Sequence, residues 1–296
     1  MRWRALTTRA RMLPGFLIVG AQKCGTDSLC TYLYAHPQIA AGTHKEIFYF
    51  TGRYRNGLRW YQSHFPLSRT TKRAQPNKKL ILTGEATPDY IFDPRAPERI
   101  AACLPNVKLI VLLRDPVARA YSHYHHSIKW KMERLSFAEA IEAEEERLRG
   151  EIENMLADGA YNNRHFRNHS YLARGVYADQ LRRYYDVFDR NQILVIKSET
   201  FFQNTQAVFD RVTAFLELEP FVLEDKTPRN IGRYTDGLAE TEPELAARLY
   251  AYFRPHNQAL YRLLGEDMGW EANDPAGAAD ATLEEAGAMY LGRGRT

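Results

Sequence analysis

Along this chain the hydrophobic positions fall into two kinds of pattern. Phe16 to Gly20 reads FLIVG, an unbroken apolar run bounded by Pro14-Gly15 in front. A run of that length without alternation predicts a short strand buried on both faces. Leu80 to Thr83, Val107 to Leu113 and Gln192 to Lys197 predict three more strands. Ile47 to Phe50 predicts a turn or a very short strand. Between these runs the apolar spacing becomes helical. Helices are predicted over Thr26 to Ala35, stopped by His36-Pro37, and from Pro116, well suited to a first turn, to about Lys131. Ser136 to Leu156 predicts a long acidic helix, with Ser136 as N-cap and Glu139 three residues on. Tyr171 to Phe188, Ala207 to Leu216 and Glu244 to Leu264 complete the helical set. Strands alternating with helices predict an α/β fold around a parallel sheet.

No internal repeat and no linker divides residues 14–270, which read as one domain. Residues 1–13 form a basic N-terminal extension. Residues 271–296 are rich in Ala, Gly and Glu and are expected to be a loosely held tail.

Composition narrows the function classes. A formal charge of +4 over 296 residues, with no long run of like charge, argues against a nucleic-acid partner. The three cysteines, Cys24, Cys30 and Cys103, form neither a C-x-x-C pair nor a disulfide framework, so a reducing compartment is expected. The apolar stretch behind the basic N-terminus is too short for a signal core or a membrane span, and the chain reads as cytoplasmic.

Three stretches carry the chemistry. The first, FLIVGAQKCGTDSL, places Lys23, Cys24, Gly25, Thr26, Asp27 and Ser28 between a strand and a helix start. Backbone N–H groups at such a helix N-terminus favour an anion, and Lys23 adds a cation. It differs from the phosphate loop G-x-x-x-x-G-K-[ST], where the lysine follows the second glycine. Alone it also fits a tight turn with a surface lysine. The second stretch, LIVLLRDPVARAYSHYHH, sets Arg114 at the carboxyl edge of a buried strand and Ser122 eight residues on. Ligands of open α/β sheets bind outside that edge, although Arg114 could instead pair with Asp115. The third, HKEIFYF, puts Lys45 and Glu46 before an aromatic cluster, a setting for a carboxylate with a raised pKa and so for a general base. Taken singly it fits a solvated ion pair. His123, His125 and His126 have the wrong helical spacing for converging metal ligands and read as an exposed helix face.

Together the three stretches resemble the sulfotransferases that use 3′-phosphoadenosine 5′-phosphosulfate (PAPS), in the branch of heparan sulfate sulfotransferases and their bacterial relatives. The matching residues are Lys23, Gly25 and Thr26; Arg114, Asp115, Pro116, Arg119 and Ser122; and Lys45, Glu46, Tyr49 and Phe50. The resemblance runs on through GEATPDYIFDPRAPERI, YLARGVYADQLRRYYDVF and YAYFRPHNQALYRLLG. It implies a P-loop-like three-layer α/β/α sandwich with a central parallel sheet. It implies Glu46 as the base toward an acceptor hydroxyl, with Lys23 and Lys45 countering charge on the leaving phosphate. The donor would be held by residues 23–28, Arg114 and Ser122, with Gly232 and Arg233 in a closing loop, RNIGRY. Adenosine 3′,5′-bisphosphate would be the product, and no metal is implied.

The sequence departs from that pattern at several points. Asp27 stands next to a polyanionic donor site, so its side chain is expected to point away. Ala86, Phe48 and Thr51 replace a lysine, a histidine and an acid of the heparan-type enzymes, which argues against heparan as acceptor. A carbohydrate hydroxyl is the first expectation, and a lipid, polyketide or other secondary-metabolite hydroxyl the second. A P-loop kinase using ATP and Mg²⁺ and a non-catalytic nucleotide-binding module are the other classes to be weighed.

Overall fold

A parallel strand has to be recrossed by a helix before the next can join it, and the order of elements follows from that need. The computed structural model describes residues 7–68, 81–161, 164–230 and 237–275. Four strands, β1 (Phe16–Gly20), β2 (Gly84–Ala86), β3 (Lys108–Leu113) and β4 (Ile193–Lys197), form one sheet in the order β2-β1-β3-β4, parallel throughout. Phe16 is registered on Gly84 and Lys108, and Leu109 to Leu113 run beside Ile193 to Lys197. β1 is buried along its whole length, as are Leu109 to Leu113 of β3, which explains their lack of alternation.

Helices flank the sheet: α1 (Thr26–Ala35), α2 (Ala96–Cys103), α3 (Pro116–Lys129), α4 (Tyr177–Tyr185), α5 (Ser198–Gln203), α6 (Thr205–Phe215) and α7 (Pro243–Leu264). Because the strands are parallel, Gly20, Ala86, Leu113 and Lys197 all end on one edge. Among the described residues no helix is long and apolar enough to cross a membrane.

Of the two alternatives for residues 47–50, the structure takes the turn, and no strand forms there. Other expectations need correction. The strand expected up to Thr83 lies one step later, at Gly84–Ala86, and Leu82 makes only an isolated bridge to Ile39. The long acidic helix is three short ones, Phe137–Glu142, Glu144–Leu148 and Glu151–Ala157, interrupted before the last by Gly150 at φ +74°. Its Ser136–Glu139 capping box is present as read. Two of its acids are buried, Glu144 and Glu151, and Glu144 accepts the Leu172 and Ala173 N–H groups at 2.7 and 2.8 Å. Residues 173–175 form a 3-10 turn, and α4 begins only at Tyr177.

The strand-to-helix turn after β3 is fixed by one carboxylate. Asp115 Oδ1 caps α3 by accepting from the Val117 and Ala118 N–H groups at 2.8 and 3.2 Å. Its Oδ2 accepts from Tyr250 of α7 at 3.0 Å and from Asn273 at 2.8 Å. Asp274 beside it is buried and paired with Arg254 at 2.8 Å, so residues 273–274, at the head of the expected tail, are docked. Asp115→Ala should cost about 2–3 kcal/mol in urea unfolding, a lost cap together with two orphaned donors. Asp115→Asn, which keeps an acceptor for the cap, should cost less.

Candidate functional site

The loop between β1 and α1 is built to leave backbone donors open. Lys23 (φ 70°) and Gly25 (φ 92°) both take left-handed conformations. A Cβ at Gly25 would also meet the tip of the Phe202 ring at 2.8 Å, but the left-handed angle is what requires glycine. No side chain caps α1, and its first-turn N–H groups remain available at a helix end that favours negative charge.

Two buried hydroxyls fix this loop. Ser198 Oγ donates to the Cys24 carbonyl at 3.0 Å. Tyr177 OH donates to the Arg114 carbonyl at 2.9 Å and lies 3.9 Å from Cys24 Sγ, joining the loops after β1 and β3. Cys24 itself is fully buried, and burial pushes its thiol up to about 11. It is a packing residue and faces away from the cleft.

The cleft has a volume of about 700 Å³, and Lys23, Gly25, Thr26, Asp27, Lys45, Glu46, Arg114 and Ser122 all line it. Eight residues scattered over a hundred positions are thus brought together at the carboxyl edge of the sheet. Ser28 is buried, and its Oγ accepts the Arg229 N–H at 2.8 Å; it anchors a neighbouring segment. Arg119 is fully buried and donates to the Tyr171 carbonyl, so it supports α3 from behind. Gly232 and Arg233 lie outside the described residues. Their neighbours Arg229 and Asn230 line the cleft.

Asp27 corrects an expectation. Its carboxylate does not point away: it forms an ion pair with Lys45, and its Oδ2 accepts from Asn230 Nδ2 at 2.8 Å. Burial alone would raise its pKa, but the Lys45 bond and charge, the Asn230 bond and Lys23 together hold it below the usual range. Lys45 Nζ also stands 3.7 Å from Glu46 Oε1. Burial raises the Glu46 carboxyl; Asp89 and Asp27 push it further, against Lys45 and Arg167. Lys23 is shifted the other way, downward, by burial first and then by Arg114. One cleft therefore holds a carboxylate favouring its proton and a cation disfavouring its own.

The histidine triplet is not an exposed face. His123 is buried and His126 lines the cleft. Burial, Lys23 and Lys129 hold His126 down at about 4, so it is neutral near pH 7.

Sequence reasoning passed over Glu85, which organises the turn carrying Glu46. It is fully buried in β2 and accepts from Thr87 Oγ1 at 2.5 Å, Tyr90 OH at 2.6 Å and Tyr61 OH at 3.2 Å. Thr87 Oγ1 in turn accepts the Ile47 N–H at 3.2 Å, and Tyr90 OH accepts the Tyr49 N–H at 3.0 Å. The Ala86 N–H donates to the Lys45 carbonyl at 3.2 Å, completing a frame on both sides of Glu46. The frame also holds Phe48 at φ 56°, a region costly for a side chain of that size. The available signal was an acid inside an otherwise apolar strand. Tyr177, Ser198 and Asn230 gave no such signal.

A model of the family described as "Sulfotransferase domain" matches residues 13–231. The chain is 30% identical to the membrane-associated sulfotransferase kil1 of Dictyostelium discoideum, over 88% of this chain and 67% of that one. It is 29% identical to human heparan sulfate glucosamine 3-O-sulfotransferase 3B1, over 88% of this chain and 66% of the relative. The chain thus spans about two thirds of the length of these curated relatives. Among solved structures, a sulfotransferase from Alicyclobacillus acidocaldarius superposes with a TM-score of 0.65 at 32% identity, covering 88% of this chain and 99% of that one. The P-loop-like α/β architecture is therefore shared with that enzyme.

Burial raises Glu85 to about 7, against its three hydroxyl donors. A carboxyl raised on folding stabilises the fold below its unfolded value near 4.5 and loses that contribution as pH climbs through about 7. The unfolding free energy from urea titration should therefore fall between pH 5 and pH 8 by on the order of 2–3 kcal/mol more in the protein than in Glu85→Gln. Equal slopes in the two proteins would contradict this assignment.

Proposed function

The chain belongs to the sulfotransferase domain family, and from that premise we propose that it moves a sulfonyl group from PAPS to an acceptor hydroxyl, with Glu46 as general base. The observation that carries this reading is the single cleft in which Lys23, the α1 N-terminus, Arg114 and Ser122 meet Glu46. A phosphosulfate suits the uncapped helix end and Lys23, and a second phosphate suits the guanidinium of Arg114 with the Ser122 hydroxyl.

In the reaction the acceptor oxygen forms a bond to sulfur while the bond from sulfur to the bridging oxygen breaks. The acceptor proton passes to Glu46, and the electron pair leaves with the 5′-phosphate of adenosine 3′,5′-bisphosphate. Lys23 counters the charge that develops on the bridging oxygen, the term fixed cations supply best in a desolvated site. Lys45, shared between Asp27 and Glu46, assists it from the acceptor side. The raised pKa of Glu46 makes it a better proton acceptor than an ordinary surface carboxylate. The chemistry calls for no metal.

Asp27 partly neutralises these cations in the protein without ligand. It keeps Lys45 beside the base, and it lowers the net charge that the donor meets. As acceptor we favour a carbohydrate hydroxyl, which is what several relatives' names describe for those relatives. Phe48, Thr51 and Ala86 remain unsuited to heparan itself. Three unpaired cysteines support a reducing, cytoplasmic setting.

Glu46→Gln should lower the transfer rate about 10²–10⁴-fold in a labelled-PAPS assay across glycan, lipid and metabolite acceptors. Titration calorimetry should show adenosine 3′,5′-bisphosphate still binding to the variant. Near-normal turnover of Glu46→Gln would remove Glu46 from the role of base.

A further inference from the structure

Glu46 lines the donor cleft, and a second cavity begins two residues from it in sequence, at Phe48. This second cavity, of about 270 Å³, is lined by Phe48, Arg53, Asp89, Phe92, Phe166 and Arg167 among others. Phe48 is two residues from Glu46 in the same turn, and Asp89 and Arg167 lie close enough to Glu46 to act on its charge.

The floor is aromatic. Phe92 and Phe166 stack at 4.3 Å with 18° between their planes, and the Arg174 guanidinium lies 4.6 Å from the Phe92 centroid. Phe48 adds a third ring, approached by Arg167 at 4.9 Å and by Arg53 at 5.9 Å. Met155 also lines the cavity. The segment behind it is fixed by Arg95 and Arg99, which donate to the Tyr161 carbonyl at 3.0 Å and the Gly159 carbonyl at 2.8 Å.

Charge in this cavity is unevenly used. Arg95 is paired with Asp93 at 2.8 Å and Arg174 with Asp89 at 2.9 Å, and all four side chains are largely buried. The rim arginines differ. Arg53 donates to the Ile47 carbonyl at 3.1 Å, and no carboxylate pairs with it among the described residues. Arg167 is half exposed and 3.9 Å from Asp89, which Arg174 already holds more closely. Two guanidinium groups with spare donors thus border an aromatic pocket beside the base. The volume is at the small end for ligand sites and suits one ring, not the interior of a polymer.

We propose that this second cavity is the acceptor subsite and takes a single hydroxylated ring bearing an anionic group, with Arg53 and Arg167 holding the anion and Phe48, Phe92 and Phe166 bounding the ring. This rests on the sulfonyl-transfer reading of the donor cleft. The anion would be a carboxylate, phosphate or sulfate, all of which match the planar fork of arginine. A ring at a chain end or a free small molecule fits equally.

The test uses the whole protein loaded with adenosine 3′,5′-bisphosphate, a complex in which no transfer can occur. Saturation-transfer NMR and calorimetry would compare D-glucuronate with D-glucose, and 4-hydroxybenzoate with phenol. In at least one pair the charged ring should bind roughly tenfold or more tightly than its neutral partner. The double variant Arg53→Ala/Arg167→Ala should erase that preference while leaving the affinity for adenosine 3′,5′-bisphosphate unchanged. Absence of charge discrimination in both pairs, or its persistence in the double variant, would overturn the proposal. Failure of the wild-type protein to bind adenosine 3′,5′-bisphosphate would instead overturn the donor-site reading on which it rests.

Discussion

Everything in this site depends on one geometric constraint: parallel strands deliver their carboxyl ends to the same edge. The register of β1 on β3, with Gly20 beside Val111, puts the loop carrying Lys23 next to the turn carrying Arg114. Tyr177 locks the two loops together through the Arg114 carbonyl. β2, on the other side of β1, brings Glu85 and Thr87 under the turn carrying Glu46. Cations would repel one another there unless something held them, and a sheet edge with buried anchors does so without using their charges.

Electrostatics at that edge then follow from burial. Lys23 loses affinity for its proton because it is desolvated and faces Arg114; Glu46 gains affinity because it is desolvated and faces two aspartates. Asp27 opposes the first shift by its charge on Lys23, adds to the second, and gives Lys45 a partner. An acid beside an anion site looked like a defect in the sequence, and the structure gives it a use: it fixes Lys45 within reach of Glu46. An anionic ligand entering the cleft would compete with Asp27 for the same lysine.

Much of the fold was legible because the decisive signals are local. β1 and α1 fall at their expected residues, and α3 starts where Asp115-Pro116 places it. The sulfotransferase resemblance of three short stretches is matched by the family model and by the superposed bacterial enzyme. What could not be read was long-range or conformational. The frame around Glu46 is made by hydroxyls about forty residues away, and nothing in HKEIFYF announces them. Gly150 broke a helix whose periodicity runs through it, since a single glycine leaves the apolar spacing intact. The orientation of Asp27 is set by Lys45 and Asn230, which are distant in sequence. For the histidine triplet, spacing alone does not say which face of α3 is buried.

The central claim, that this cleft is shaped for a nucleotide with separated 5′ and 3′ phosphates, is tested most directly by thermal unfolding with competing ligands. Adenosine 3′,5′-bisphosphate at about a hundredfold over its dissociation constant should raise the unfolding midpoint by roughly 5 °C. ATP with Mg²⁺ at the same concentration should raise it clearly less. A larger shift with ATP and Mg²⁺, or none with adenosine 3′,5′-bisphosphate, would contradict it.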